Sequence, residues 1–146
     1  MVNLSSLLKD CGISCNNPTC TEWNSGIQAI EDAINTAVQS QIPPIFPLTD
    51  GATINVDWSK SPTQRVIIAG NRTFAFTGAK SGQRCHLILV QNGVGGFTSP
   101  TWPASMRGSG GSITAPTGTA NKTTHYVMVY DDIAGKYDVL SVTTNL

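Results

Sequence analysis

The 146-residue chain carries nine Lys and Arg against nine Asp and Glu, a formal net charge of zero, and only 12% of its residues are charged. Against a usual ~25%, that scarcity argues against a nucleic-acid partner, which demands a clustered basic patch. The length suits one ordinary domain with a short appendage and leaves little room for a second domain.

With 40% hydrophobic residues, and polarity drawn from Ser, Thr, Asn and Gly, the composition is that of a folded, β-rich chain. Disordered chains instead combine low hydrophobicity with high net charge. No apolar run approaches the ~20 residues that span a bilayer, and the apolar stretch in Met1 to Leu8 is too short for a secretory h-region. A soluble, unprocessed chain with no membrane span is expected.

Residues 1–21 read as an attachment peptide. Leu4, Leu7 and Leu8 form an apolar cluster too short to fold alone and therefore available to dock on a partner. Cys11, Cys15 and Cys20 crowd the same segment, while Cys85 stands apart inside an apolar strand pattern. This is not the spacing of a secreted disulfide framework. Cys-x3-Cys-x4-Cys also lacks the paired Cys-x2-Cys knuckles of structural zinc sites. Zinc ligation and disulfides stay open as alternatives for these thiols; plain packing is the reading adopted, with no metal or cofactor expected.

Residues 22–47 follow as a helix and a spacer. The helix is expected from about Glu22 to Gln41, after the polar run Asn16-Asn17-Pro18-Thr19 and before Pro43-Pro44. Its apolar residues Trp23, Ile27, Ile30, Ile34 and Ala37 alternate spacings of four and three, the seam of a short coiled coil. Isoleucine at both seam positions favours a trimer. The alternative is an amphipathic helix packed on its own domain, since a lone helix of this length is marginal in water. Ile42-Pro43-Pro44-Ile45-Phe46-Pro47 cannot be helical and reads as a stiff spacer. Charge divides here as well: residues 1–47 hold one base and four acids, residues 48–146 eight bases and five acids.

Residues 48–146 are the expected head. Short alternating stretches predict strands near Thr53–Trp58, Arg65–Ala69, Thr73–Phe76, Arg84–Gln91, Thr98–Trp102, Ser112–Thr114, His125–Tyr130 and Lys136–Val142. Such spacing suggests an antiparallel, jelly-roll-like β-sandwich. Cys85 to Val90 and Tyr126 to Tyr130 are apolar on both faces, which suits central strands covered on each side or meeting a neighbouring subunit. Asp131 to Gly135 reads as a hairpin connection. The loops Asn92–Gly96 and Arg107–Ser112 are expected to be mobile and tolerant of insertion.

No catalytic residue emerges. His86 and His125 both lie in strand patterns beside apolar neighbours, and no G-x-S-x-G turn accompanies them. Gly78-Ala79-Lys80-Ser81 lacks the glycine that a phosphate-binding loop places before its lysine. Asp131 and Asp132 are better explained as turn formers than as a pair of hydrolytic carboxylates. Trp58 and Trp102, with Tyr126, Tyr130 and Tyr137, suit either a core or a platform for sugar rings. Trp58 and Phe97 are the candidate glycan contacts.

The stretches Asp50-Gly51-Ala52-Thr53-Ile54, Arg65 through Phe74 and Gly82 through Gln91 resemble a β-domain widespread in tailed-phage and prophage virion proteins. Thr101-Trp102-Pro103-Ala104-Ser105, the turn Ala120-Asn121-Lys122-Thr123 and the Tyr126 to Lys136 hairpin continue the resemblance over about 95 of the 146 residues. It implies a structural role in tail fibres, baseplate-associated proteins or capsid fibres and decorations, and it supplies no catalytic residue. The expectation is a homotrimeric capsid fibre or decoration protein of the virion, assembled in the host cytoplasm. A tail-fibre or other glycan-binding appendage is the alternative.

Overall fold

The structure, a computed structural model, describes residues 18–40 and 43–146, with helix side chains described from 25 to 37. The chain divides into two compact units between Ile42 and Pro43, and each is taken by itself. In the first, helix α1 spans Pro18–Ser40. Pro18, read in the sequence as preceding the helix, opens it. Proline's missing N–H is no loss in the first turn, and its fixed φ is already helical.

The second unit contains β1 (Phe46–Pro47), β2 (Thr53–Asp57), β3 (Thr63–Ile68), β4 (Thr73–Thr77), β5 (Arg84–Gln91), β6 (Met106–Arg107), β7 (Thr123–Asp131) and β8 (Lys136–Thr143). Six strands form one mixed sheet in the order β1-β3-β5-β7-β8-β6, and β2 pairs with β4 in a second. Among the described residues the expected strand at Ser112–Thr114 is missing, and the one at Thr98–Trp102 shrinks to a single bridge from Thr101 to Thr73. Phe46–Pro47, expected as spacer, is instead the first strand of this unit. Proline is tolerated there because β1 is an edge strand, and with two-residue β1 and β6 at its ends the large sheet offers little edge for stray pairing.

The purely antiparallel expectation is corrected. β5 pairs antiparallel with β7, and β7 with β8 across the predicted Asp131–Gly135 turn, but β1 with β3, β2 with β4, β3 with β5 and β6 with β8 are parallel. The cause lies in the connections. Parallel neighbours within one sheet need a crossover of about a dozen residues or more, whereas each link between successive strands from β1 to β5 is short. The chain resolves this by alternating sheets, so that each strand lies beside the strand two before it and runs the same way. From β1 to β5 it winds as a flat coil.

Polar side chains fasten successive turns of that coil at its corners. Arg72, after β3, donates to Asp50, after β1, at 2.8 and 2.7 Å. At the opposite corner Gln83 Nε2 donates to the Trp58 carbonyl at 3.0 Å, and Ser61 Oγ donates to the Pro44 carbonyl at 2.7 Å. The last two bonds give the Trp58 and Pro44 carbonyls partners at the corners.

Both sheets feed one core. The inward residues of β3 (Gln64, Val66, Ile68) and β5 (Cys85, Leu87, Leu89) meet Ile54, Val56 and Phe74 of the small sheet, with Trp58, Tyr126, Met128 and Tyr137 completing it. Aromatic rings run through it in a row. Tyr130 and Tyr137 lie 4.7 Å apart, Tyr137 and Phe76 5.1 Å, and Phe74 stacks on Trp102 at 4.9 Å, which in turn meets Tyr126 at 4.9 Å. Edge-to-face and offset pairs of this kind add to the burial of the rings themselves.

Candidate functional site

Of the residues expected on the trimer seam, Ile27 is half-buried while Ile30 and Ile34 remain 56% and 46% exposed. Ala37 is exposed too, and Glu31, on the flank of the same stripe, is buried. Of the described seam residues, Ile30, Ile34 and Ala37 are therefore exposed and Ile27 is half-buried. Trp23 lies in α1, but its side chain is outside the described residues, as is that of Cys20. Leu4, Leu7, Leu8, Cys11 and Cys15 fall outside them altogether.

Trp58, named as a candidate glycan contact, is corrected to a core residue. It is 1% exposed, with its ring 5.6 Å from that of Phe76 and 6.4 Å from that of Tyr137. No face is left for a sugar. Phe97 is partly buried and packs against the same core. Its backbone is held by Gln91, whose Nε2 donates to the Phe97 carbonyl at 2.9 Å and whose Oε1 accepts the Phe97 N–H at 3.2 Å. The aromatic residues that the sequence left open between platform and core therefore lie largely in the core.

The remaining polar side chains sort into structural ties and one unusual pair. Arg107 forks onto Asp138, reaches Asp131 at 3.4 Å, and draws the Asp138 carboxyl below its ordinary range. Asp131 Oδ1 accepts the N–H groups of Ile133 and Ala134, which closes the hairpin turn. Cys85 is a free buried thiol pushed up to about 12 by desolvation, so it is neutral and inert as a nucleophile at physiological pH.

The unusual pair is His86 and His125. Both point away from the core, on the outer face of the large sheet, from adjacent antiparallel strands. The register sets His86 beside Val127 and Ile88 beside His125, so the two rings meet on the diagonal. His86 Nε2 lies 2.8 Å from His125 Nδ1, with ring centroids 4.9 Å apart. Both side chains are half-buried. Burial, then the neighbouring His125, hold His86 below the usual imidazole range. The sequence placed each histidine correctly on a strand. It did not show the pairing, because alternation fixes the face and only register fixes the neighbour.

Comparison of the chain with family models, with curated proteins and with solved structures finds no match in any of the three.

Proposed function

We propose that the chain is a structural protein of a phage virion, a trimeric capsid fibre or decoration protein. Its sandwich-like β-head is carried on a short three-stranded coiled coil, and its N-terminal segment attaches it to the particle. The observation that carries the trimer is the exposed apolar stripe of α1. Ile30 and Ile34 are 56% and 46% exposed, and isoleucines at coiled-coil spacing are best covered by two further copies of the same helix. The resemblance of the head to virion β-domains supports a structural role in a virion without choosing between capsid and tail. The role rests on shape and attachment, with no catalytic chemistry assigned.

Sedimentation equilibrium of the whole chain tests the assembly. A mass three times that of the chain is expected, falling to one when Ile30 and Ile34 are both replaced by Asp. A stable monomer of the unmodified chain overturns it. Cryo-electron microscopy of purified particles tests the place, with density on the capsid expected and exclusive density on the tail moving the assignment to a tail appendage.

A further inference from the structure

We propose that His86 and His125 form a two-imidazole binding site for a divalent transition-metal ion on the outer face of the large sheet, with preference for Cu²⁺ or Ni²⁺. Three features carry this. The two ring nitrogens, His86 Nε2 and His125 Nδ1, converge to 2.8 Å. Their carrier strands β5 and β7 are central in a six-stranded sheet and joined by an unbroken ladder over this stretch, so the pair is held in advance of binding. Both rings are half-buried rather than sealed, which leaves an ion a way in.

The separation also selects among ions. With metal–imidazole bonds of about 2.0–2.1 Å, two nitrogens bound at a right angle stand about 2.9 Å apart, and two at a tetrahedral angle about 3.3 Å. The observed 2.8 Å is the length of the hydrogen bond between the rings; opening it by about 0.1 Å gives the right-angle edge of a tetragonal site, the geometry of Cu²⁺ and Ni²⁺, against about 0.5 Å for a tetrahedral site. Zn²⁺ would have to push the rings apart. Imidazole suits all three ions, and copper stands above the other two in the general affinity order whatever the geometry, so nickel against zinc is the comparison that reads the spacing.

The protons balance without loss. In the free pair one bridging nitrogen carries a hydrogen directed at the other. When an ion enters, that hydrogen passes through water to the outer nitrogen of the same ring, so both imidazoles stay neutral and each gives the metal one lone pair. Among the described residues no cluster of three or more His, Cys, Asp or Glu assembles as a metal site, so water fills the remaining positions. Register neighbours of the pair on this face are Thr63, Ile88, Val127 and Thr143, none of them charged. Arg65, across from Ile88, and Arg84, two residues before His86, are exposed, and water screens their charge.

The test uses the whole chain with Cys11, Cys15 and Cys20 each replaced by Ser, which removes them as competitors and leaves buried Cys85 in place. Calorimetric titration with NiCl₂ and with CuCl₂ should give one ion per chain. His86→Gln and His125→Gln should each weaken binding by more than about tenfold, since even loss of an outer-sphere partner costs a metal site 10–100-fold. ZnCl₂ should bind more weakly than either. Copper loaded on this chain gives a readout that needs no histidine variant, an electron paramagnetic resonance spectrum split by two imidazole nitrogens. Binding unchanged in both variants, no binding at millimolar metal, or a copper spectrum without two nitrogen couplings each overturns the proposal.

Discussion

Arg72 grips both carboxylate oxygens of Asp50, 22 residues earlier in the chain, and in doing so locks two successive corners of the coil together. Asp50 Oδ2 also accepts the Ala69 N–H at 3.2 Å. A bidentate, charge-assisted contact that also holds a backbone amide is stronger than an ordinary surface ion pair. The hydrogen bonds from Arg72 are the main reason the Asp50 carboxyl sits below its usual range.

A pH dependence follows from that depression. The unfolded chain takes up a proton at Asp50 at a higher pH than the folded chain does. The stabilisation is therefore complete above the ordinary carboxylate pKa of about 4 and is lost as pH falls through the lower folded value. Asp50→Asn should lower the thermal midpoint at pH 7, and the gap from the unmodified protein should narrow on acidification below about pH 4. Paired melting curves at neutral and acid pH check this; a gap independent of pH would mean that the ion pair contributes nothing.

Gln91 is predicted to hold the loop that follows β5. It is 1% exposed and uses both ends of its amide on the backbone of Phe97. Replacing it with Ala leaves that N–H and carbonyl without partners in a largely buried setting, which costs about 1–3 kcal/mol for each group so stranded. Urea unfolding of Gln91→Ala should show a loss of about 2–4 kcal/mol, and hydrogen exchange at the Phe97 amide should accelerate more than exchange in β7. An unchanged Phe97 amide would place the loop's support elsewhere.

Trp58→Ala should act on stability before it acts on recognition. The indole is enclosed between Phe76 and Tyr137, and truncating a buried large aromatic typically costs about 3–5 kcal/mol. Trp58→Phe, which keeps most of the volume, should cost less. Loss of glycan binding in Trp58→Phe with unchanged unfolding would contradict this placement.

The β character of the head, the strands β3, β5 and β7 and the hairpin at Asp131 were legible in the sequence, because each rests on local apolar patterning or turn chemistry; which face of β5 and β7 turns inward was not, since both faces read as apolar. Strand direction was not. Thr53-Ile54-Asn55-Val56 reads the same whether its partner runs parallel or antiparallel. The partner, Thr73 to Thr77, is fixed only by where the coil returns. Asp50 and Arg72 were both visible as charged residues in turns, yet their contact depends on two corners lying one above the other. The histidines show the same limit from the functional side. β1 escaped notice because its own Pro47, the Pro43-Pro44 pair before it and its short length hid it, and the Ser112–Thr114 stretch misled because its alternating Ser-Ile-Thr follows a 3-10 turn at Ser109–Gly111 and pairs with nothing in the sheets.

The two glycine-rich loops, alike in composition, should respond oppositely to insertion. In Asn92–Gly96, Gly95 is buried with φ +69°, and a Cβ there would meet the Gly118 carbonyl at 2.6 Å. Asn92 Oδ1 accepts the N–H groups of Val94 and Gly95, and the Gly96 N–H reaches the Gly118 carbonyl at 2.7 Å. An added segment beside Gly95 breaks these bonds and displaces a backbone that only glycine can follow. At Gly110, by contrast, the space around a would-be Cβ is empty. The flanking anchors, Met106 in the core and Arg107 on Asp138, lie outside the tip. Lengthening a free loop costs only about 0.6 kcal/mol per doubling. A three-residue Gly-Ser-Gly insertion after Gly110 should therefore shift the urea midpoint by less than about 1 kcal/mol in stability, while the same insertion after Gly95 should cost more than about 2 kcal/mol. Equal tolerance at both sites would show that the Asn92 to Gly96 loop is not built into the fold.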